Sequence, residues 1–287
     1  MEYHIRHVTA YRYSGTVTLS PHVFRLRPRT DGAQELRSFR LRLQPAQAGI
    51  SHSLDLEGNP ITQAWFDRPT DELHVTADSE IKTLRANPYD FLTAPSATQL
   101  PPAYPEVLQP MVRSFLDTES IEVSVRDFAQ SVAQAVNGRT LAFLPALTER
   151  VHTACANIVR PTGEAWAGHH TLSEGQGSCR DLAVLFIESC RSLGVAARFV
   201  SGYHDSGAET DRELHAWAEV YLPDAGWRGY DPSCGLTTAD RHIVLAASAV
   251  PSETAPIIGR FAGDGVSVQM RTQVVVRSAG AKERVRT

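Results

Sequence analysis

Cysteine is scarce in this 287-residue chain, which contains only Cys155, Cys179, Cys190 and Cys234. Their small number and irregular spacing exclude a disulfide scaffold, and no pair has the C-x-x-C spacing of a zinc or redox site. His169 and His170 could be imagined around a metal together with Cys179, but adjacent residues rarely point at one ion. We therefore expect no bound metal.

Long apolar runs are also missing. No stretch approaches the roughly 18 apolar residues that span a bilayer. Residues 1–13 are polar and aromatic, without the apolar centre of a signal peptide. The sequence therefore predicts a soluble cytoplasmic protein with no membrane partner.

The chain has little net charge of either sign. Its formal net charge is -4 and its pI is near 6.3, so it offers no field that attracts phosphate backbones. Basic residues do cluster near the N-terminus, but they alternate with apolar residues, which is typical of a strand with one solvated face. These residues are Arg25, Arg27, Arg29, Arg37, Arg40 and Arg42. We expect no nucleic-acid partner.

The composition is that of a globular protein, with 42% hydrophobic and 21% charged residues. Because the length exceeds one average domain, we expect two compact units. Residues 1–85 contain short alternating runs separated by turn sequences such as Glu57-Gly58-Asn59-Pro60. This pattern predicts an N-terminal antiparallel β domain.

Prolines crowd residues 86–106, which we interpret as a linker. Helical periodicity follows at 107–116, 125–136 and 144–159, with Ser124 as the predicted N-cap of the second helix. We therefore place a second unit, a core with preceding helices, at 107–250, followed by a C-terminal strand and tail at 251–287. The predicted fold class is α+β.

Cys179 differs from the other cysteines because it follows a glycine loop, Gly175-Gln176-Gly177-Ser178. The apolar residues after it have the spacing of one helical face that ends before Gly194. They are Leu182, Leu185, Phe186, Cys190 and Leu193. Cys179 therefore lies at a helix N-terminus, where free amides and the helix dipole, with the charge of Arg180, favour a reactive thiolate. The same amides can donate to an oxyanion.

Three strands are predicted after this helix, at 196–203, 214–222 and 227–230, separated first by a polar loop at 204–212. His215 begins the second strand, and Asp231 follows the third. Antiparallel pairing would bring these two residues together, and packing of the helix on the sheet could set the Cys179 thiol beside the imidazole. His215 would then hold or take the thiol proton, and Asp231 would orient the ring.

Four linked motifs resemble the bacterial transglutaminase-like superfamily over about residues 147–236. They are Gly-x-Gly-x-Cys-x-Asp at 175–181, Ala-Arg-Phe-Val-Ser-Gly-Tyr at 197–203, His-Ala-Trp-Ala-Glu-Val-Tyr at 215–221 and Gly-Trp-x-x-Tyr-Asp-Pro at 226–232. Tyr-x-Tyr at 11–13, Leu-Ser-Pro-His at 19–22 and Leu-Arg-Pro-Arg at 26–29 resemble the β-rich domain that precedes this core in one bacterial subfamily. The resemblance implies a papain-like α+β core with Cys179 as nucleophile, His215 as base and Asp231 as orienting acid.

The chain departs from that family pattern after its Asp-Pro pair. Ser233-Cys234 stands where the family commonly has Thr or Ala followed by Asn. Cys234 is either a redox partner of Cys179 or a simple buried or half-buried thiol. Cys155 and Cys190 are interpreted as small buried hydrophobes.

Four further residues each have two interpretations. Trp217 and Trp227 either wall an acyl-binding cleft or belong to the core. Asp181 is interpreted as a cap or structural partner rather than a catalytic group. By analogy with related thiol enzymes, Gln176 could add an oxyanion donor, although the backbone of Cys179 is the better-founded donor.

The sequence thus predicts thiolate attack on a carboxamide or peptide carbonyl, with release of the acyl-enzyme to water or to an amine. The expected substrate is a protein, peptide or small amide, and the mechanism requires no cofactor. Hydrolysis is favoured because water is always present, whereas transfer needs a dry cleft and an amine site. The alternatives are a protein-glutamine transglutaminase, a non-catalytic binding module on the same fold, and a redox protein that uses Cys179 and Cys234.

Overall fold

The structure is a computed structural model that describes residues 1–207 and 214–278. Most of the predicted polar loop at 204–212 and the end of the predicted tail therefore lie outside the described residues. The architecture is α+β, as predicted: an antiparallel β domain precedes a layer of helices packed on a second antiparallel sheet. Within the described residues, no helix is long and apolar enough to cross a membrane.

The N-terminal β domain is built from two sheets. The larger sheet contains strands β1 (Glu2–Leu19), β3 (Gln34–Gln44), β6 (Thr70–Thr83), β15 (Phe261–Ala262) and β16 (Val268–Ser278). The smaller contains β2 (His22–Phe24), β4 (Gly49–Leu54), β5 (Pro60–Trp65) and β14 (Ile257–Ile258). Because β16 pairs with β1 over eleven positions, from Tyr3↔Ser278 to Tyr13↔Val268, the end of the described chain returns to this domain.

The helices partly match the sequence prediction. They are α1 (Gln109–Val112), α2 (Val123–Ala135), α3 (Thr140–Ala154), α4 (Gly168–Glu174) and α5 (Cys179–Ser192), with 3₁₀ turns at Pro95–Ala97, Arg113–Leu116 and Pro251–Thr254. The N-cap prediction was wrong: Glu122 holds that position, and Ser124 lies in the first turn of α2. The third predicted helix begins and ends several residues too late, because Thr140 is helical and the chain leaves the helix at Cys155.

The second domain contains a five-stranded antiparallel sheet in the order β12-β11-β10-β9-β13. Its strands are β9 (Ala197–His204), β10 (His215–Leu222), β11 (Gly226–Asp231), β12 (Leu236–Thr237) and β13 (His242–Ser248). Helix α5 packs across this sheet and is surrounded by α2, α3 and α4. Ala183, Ile187 and Ser189 are therefore buried together with the predicted apolar face of α5, as expected of a central helix.

The N-terminal β domain covers β13, which is an edge strand of the second sheet. A hydrophobic cluster joins Tyr3, Ile5 and Ile81 to Tyr203 and Ile243 across this boundary. Two side-chain amides also form hydrogen bonds with the backbone of this edge strand. Gln34 donates to the Val244 carbonyl at 2.9 Å and accepts from its amide at 2.7 Å, and Asn59 makes the same pair of bonds to Ala247 at 2.8 Å each.

Replacement of Asn59 by alanine should destabilise the fold. Asn59 is fully buried, so the substitution leaves the backbone amide and carbonyl of Ala247 without partners. We expect a loss of about 2–4 kcal/mol in the free energy of unfolding, measured by urea denaturation. Gln63→Ala, at an exposed position of neighbouring β5, is the control. Equal stability of the two variants would contradict a structural role for the Asn59 amide.

Candidate active site

The loop before Cys179 is fixed by a short parallel pairing. Strand β7 (Ala156–Asn157) pairs with β8 (Gln176–Gly177), and Ile158 donates its amide to the Gly177 carbonyl at 2.9 Å. A Cβ atom at Gly177 would lie 2.8 Å from Cβ of Asp181, closer than packing permits. The glycine therefore allows the chain to turn directly into α5, with Cys179 as its first residue.

Asp181 holds the N-terminus of α5. It forms a capping box with Ser178, whose amide and hydroxyl donate to Oδ2 at 2.7 and 2.8 Å. Arg160 and the amide of Trp166 complete its partners, at 2.6 and 2.8 Å. Burial raises the pKa of Asp181, but these hydrogen bonds outweigh burial and leave the pKa below its usual value. The predicted structural role of Asp181 is confirmed.

Asp181→Asn should therefore weaken the fold in a pH-dependent way. Because the folded-state pKa is depressed, the stabilisation is fully present above the unfolded-state pKa of about 4 and is lost as the pH falls through the folded-state value. We expect a deficit of about 2–4 kcal/mol near neutral pH that shrinks toward about pH 3, measured by urea denaturation. Glu174→Gln, an exposed acid in α4, is the control. A deficit that does not change with pH would contradict the carboxylate's role.

His215 and Asp231 lie at the ends of neighbouring strands and meet as predicted. His215 begins β10, opposite Gly202 of β9, where a Cβ atom would collide with the Ile243 carbonyl and the Trp217 ring. Asp231 ends β11, and its Oδ2 lies 2.7 Å from Nε2 of His215. Asp231 is fully buried and His215 is mostly buried.

The other carboxylate oxygen of Asp231 organises the turn after β11. Oδ1 accepts hydrogen bonds from the amide and hydroxyl of Ser233 at 3.0 and 2.7 Å and from the amide of Cys234 at 3.1 Å. Burial raises the pKa of Asp231, but hydrogen bonds from His215 and His242 outweigh it and hold this pKa well below its usual value. Asp231 therefore accepts five hydrogen bonds, two at Oδ2 and three at Oδ1.

The Cys179 thiol lies within hydrogen-bonding reach of the His215 ring. Burial disfavours a charged imidazole, but hydrogen bonds with Asp231, Cys179 and Cys234 outweigh it and hold the pKa of His215 well above its usual range. An imidazolium beside the sulfur favours the thiolate form, and Cys179 is also at a helix N-terminus. The three predicted site residues are thus brought together.

Cys234 also lies beside the His215 imidazole. Its sulfur is 3.8 Å from Nδ1 of His204 and 3.8 Å from the Ser233 hydroxyl. All four cysteines are free thiols, Cys155 and Cys190 being buried and Cys179 and Cys234 partly exposed. The predictions of buried Cys155 and Cys190 are confirmed.

Two further histidines were missed by the sequence analysis. His242 donates from Nε2 to Asp231 Oδ2 at 3.0 Å, and His204 stacks on His242 with ring centroids 4.4 Å apart. Burial, together with repulsion from His242 and His215, lowers the pKa of His204 to about 4. The only sequence signal was a histidine at the end of β9 and another at the start of β13, strands whose pairing local periodicity does not reveal.

This cluster also has the composition of a metal site. His204, His215, Asp231 and His242 place ligand atoms within 4.8 Å of one another. His169 and His170, considered with Cys179 from sequence, do not belong to it within the part of the chain that the structure describes. The Asp231 oxygen already accepts two imidazole N–H groups, so the observed arrangement is a hydrogen-bonded network.

The accessory residues take different places. Trp217 is buried in the core beside His215 and His242, whereas Trp227 is half-buried between Phe115 and Arg198. The guanidinium of Arg180 donates to the carbonyls of residues 160 and 163 at 2.6 and 2.8 Å. These contacts fasten the loop before α4 to the start of α5.

Comparison with known families gives two matches in one chain. Residues 3–82 match the bacterial transglutaminase-like N-terminal region, and residues 126–232 match the transglutaminase-like superfamily. The second match includes all three of the residues that meet at the start of α5. Both parts of the resemblance seen in the sequence are confirmed.

Similar proteins occur in mycobacteria, and the similarity covers most of each sequence. An uncharacterized protein of Mycobacterium leprae is 26% identical over 272 residues, covering 91% of this chain and 93% of that protein. An uncharacterized protein of Mycobacterium tuberculosis is 29% identical over 273 residues, covering 90% and 86%. A crystal structure from Cytophaga hutchinsonii, described as that of a candidate cysteine protease, has a TM-score of 0.66 at 16% identity, covering 96% of this chain and 98% of that one. The shared fold thus extends over both domains.

Proposed function

Because residues 126–232 match the transglutaminase-like superfamily, we propose that the chain is an acyl hydrolase that cleaves amide or peptide bonds with Cys179, His215 and Asp231. The observation that carries the proposal is the position of His215. Its Nε2 is held 2.7 Å from Asp231, and the thiol of Cys179 lies within hydrogen-bonding reach of the same ring. A nucleophile, a base and an orienting acid in this order are the elements of acyl transfer.

The first half-reaction begins with attack of the Cys179 thiolate on the substrate carbonyl carbon. The backbone amide of Cys179, which has no partner within its own helix turn, faces the negative oxygen that forms. His215 then gives its proton to the leaving nitrogen as the carbon–nitrogen bond breaks, and a thioester with Cys179 remains. Asp231 keeps the ring oriented and stabilises its positive charge throughout.

In the second half-reaction a water molecule attacks the thioester. His215 takes one proton from that water, the carbon–sulfur bond breaks, and the carboxylic acid leaves as the thiolate and imidazolium are restored. A primary amine in place of water would give a new amide. We favour water as the acceptor, since the site cluster is partly open to solvent at Cys179 and His215.

The test is a screen of peptides and carboxamides with the wild-type chain, with and without a primary amine, using Cys179→Ala as the blank. Hydrolysis gives an acid in both conditions, whereas transfer gives an amine-dependent amide, and mass spectrometry separates the two products. A binding module would give neither.

The activated thiol is tested without any substrate. Iodoacetamide should alkylate Cys179 faster than an unperturbed thiol at pH values below about 7. If Cys179 reacts no faster than a small-molecule thiol across about pH 5 to 9, the proposed nucleophile is wrong.

A further inference from the structure

One carboxylate oxygen serves two histidines in this site. Oδ2 of Asp231 lies 2.7 Å from Nε2 of His215 and 3.0 Å from Nε2 of His242. We propose that His242 is a positioning residue: it stays neutral, donates its Nε2–H to Asp231, and thereby fixes the carboxylate and makes the His215 imidazolium a stronger acid. This inference rests on the proposed function and adds a fourth member to its triad.

The hydrogen bonds determine the tautomer of His242. Asp231 is ionised and can only accept, so the Nε2 atom facing it must carry the hydrogen. Nδ1 of His242 is buried and has no hydrogen-bond partner within the described residues. A hydrogen on Nδ1 would create a cation with a buried, unsatisfied donor, whereas a bare Nδ1 leaves only a neutral acceptor unmet. The neutral form with hydrogen on Nε2 is therefore the more stable one.

The surroundings of His242 also oppose a second positive charge. The His204 ring stacks on the His242 ring, the Trp217 ring makes a T-shaped contact with it at 5.1 Å between centroids, and the His215 ring is 6.2 Å away. Asp231 and Asp240 are the acidic groups that face it. Burial and the charge of His215 outweigh these acids and lower the pKa of His242.

The same geometry shows what His242 does for His215. The hydrogen bond from His242 to Oδ2 of Asp231 stabilises the carboxylate more when His215 is neutral than when His215 is charged. The reason is that a charged His215 already neutralises Asp231. The His242 N–H dipole also points its positive end toward the imidazolium. Both effects make His215 a stronger acid, which suits a group that must give its proton to a leaving nitrogen.

The position of His242 connects this role to the N-terminal β domain. His242 is the first residue of β13, the edge strand whose backbone is held by the side-chain amides of Gln34 and Asn59. That domain thus fixes the strand that brings His242 to Asp231.

The test compares two variants of His242 by NMR titration of the His215 ring, whose neighbours are Asp231, Cys179, Cys234 and His204. His242→Phe keeps an aromatic ring between His204 and Trp217 but removes the donor. We expect the His215 midpoint to rise by about half to one pH unit. His242→Gln, whose amide can place an N–H near the position of Nε2, should return the midpoint toward the wild-type value. His52→Phe, an exposed histidine of β4, should leave it unchanged.

The outcomes separate the two proposals. If wild-type Cys179 shows no enhanced alkylation, the proposed function fails. If alkylation is enhanced but His242→Phe and His242→Gln share the wild-type His215 midpoint, only the role of His242 fails.

A measurement on the wild-type chain covers the case in which His242→Phe does not fold. Nitrogen NMR should show the His242 ring as the neutral Nε2–H tautomer throughout the range in which His215 is charged. A cationic His242 ring, or a neutral ring with hydrogen on Nδ1, would overturn the inference.

Discussion

Replacement of Cys179 by alanine is expected to abolish amide cleavage, with a fall of at least about 10⁴-fold in kcat. The sulfur is the atom that forms the thioester. The hydroxyl of Ser233 is bonded to Asp231, and the thiol of Cys234, although it also lies beside His215, is not at a helix N-terminus. The fold should persist, because Cys179 is a partly exposed first residue of α5 rather than part of its packed interior. Turnover of a substrate found in the screen measures the first effect, and thermal unfolding the second.

Cys155→Ala is the matched control for this experiment. Cys155 is a buried thiol at the end of α3, where its sulfur is 3.7 Å from the Thr171 carbonyl. Its removal should cost some stability but leave turnover per folded molecule within a few-fold of wild type. Retained turnover in Cys179→Ala would show that the chemistry lies elsewhere.

Asp231→Asn is expected to reduce kcat/KM by about 10³- to 10⁴-fold and to weaken the fold. The two carboxylate oxygens receive five donors, two imidazole N–H groups at Oδ2 and three groups from Ser233 and Cys234 at Oδ1. An amide of the same shape must turn its NH₂ group toward one of these sets. His215 then either changes tautomer or loses its orienting partner.

The loss of stability should amount to about 3–5 kcal/mol near neutral pH, since one partner of a buried charge pair is removed. The folded-state pKa of Asp231 is depressed. Its contribution is therefore present above the unfolded-state pKa of about 4 and is lost as the pH falls through the folded-state value. Denaturation at neutral and acidic pH, together with kcat/KM, measures both effects.

Asp127→Asn, an exposed acid on α2, is the matched control for Asp231→Asn. It should change neither kcat/KM nor stability appreciably. If Asp231→Asn keeps wild-type activity, the carboxylate does not orient His215 for catalysis.

Local sequence patterns predicted the elements of the site well. The apolar spacing after Cys179 and the glycine at 194 fixed α5 to within one residue of its observed end, and β-branched and aromatic residues marked β9, β10 and β11. Patterns were weaker where packing decides the helix ends. Helix α3 begins at Thr140, directly after the polar residue Arg139, so no apolar residue marks its start. Helix α4 is too short for an apolar periodicity to be recognised.

The meeting of His215 with Asp231 was predictable because they lie on neighbouring strands of one antiparallel meander, where a short connection leaves few possible partners. His242 lies eleven residues beyond Asp231 in sequence, but β13 crosses to the far side of β9 instead of continuing beside β12. That crossover carries His242 back over the site.

The sequence by itself determined the thiol at the start of a helix, the strands that carry His215 and Asp231, and a β domain before the core, because each depends on periodicity or on a compact motif. Only the tertiary structure decided that β16 pairs with β1, that Asn59 and Gln34 complete the edge of β13, and that His242 shares the carboxylate of Asp231. These contacts join residues far apart in the chain or on strands whose order is free to vary. Sheet order and register, which depend on the packing of the whole molecule, select them.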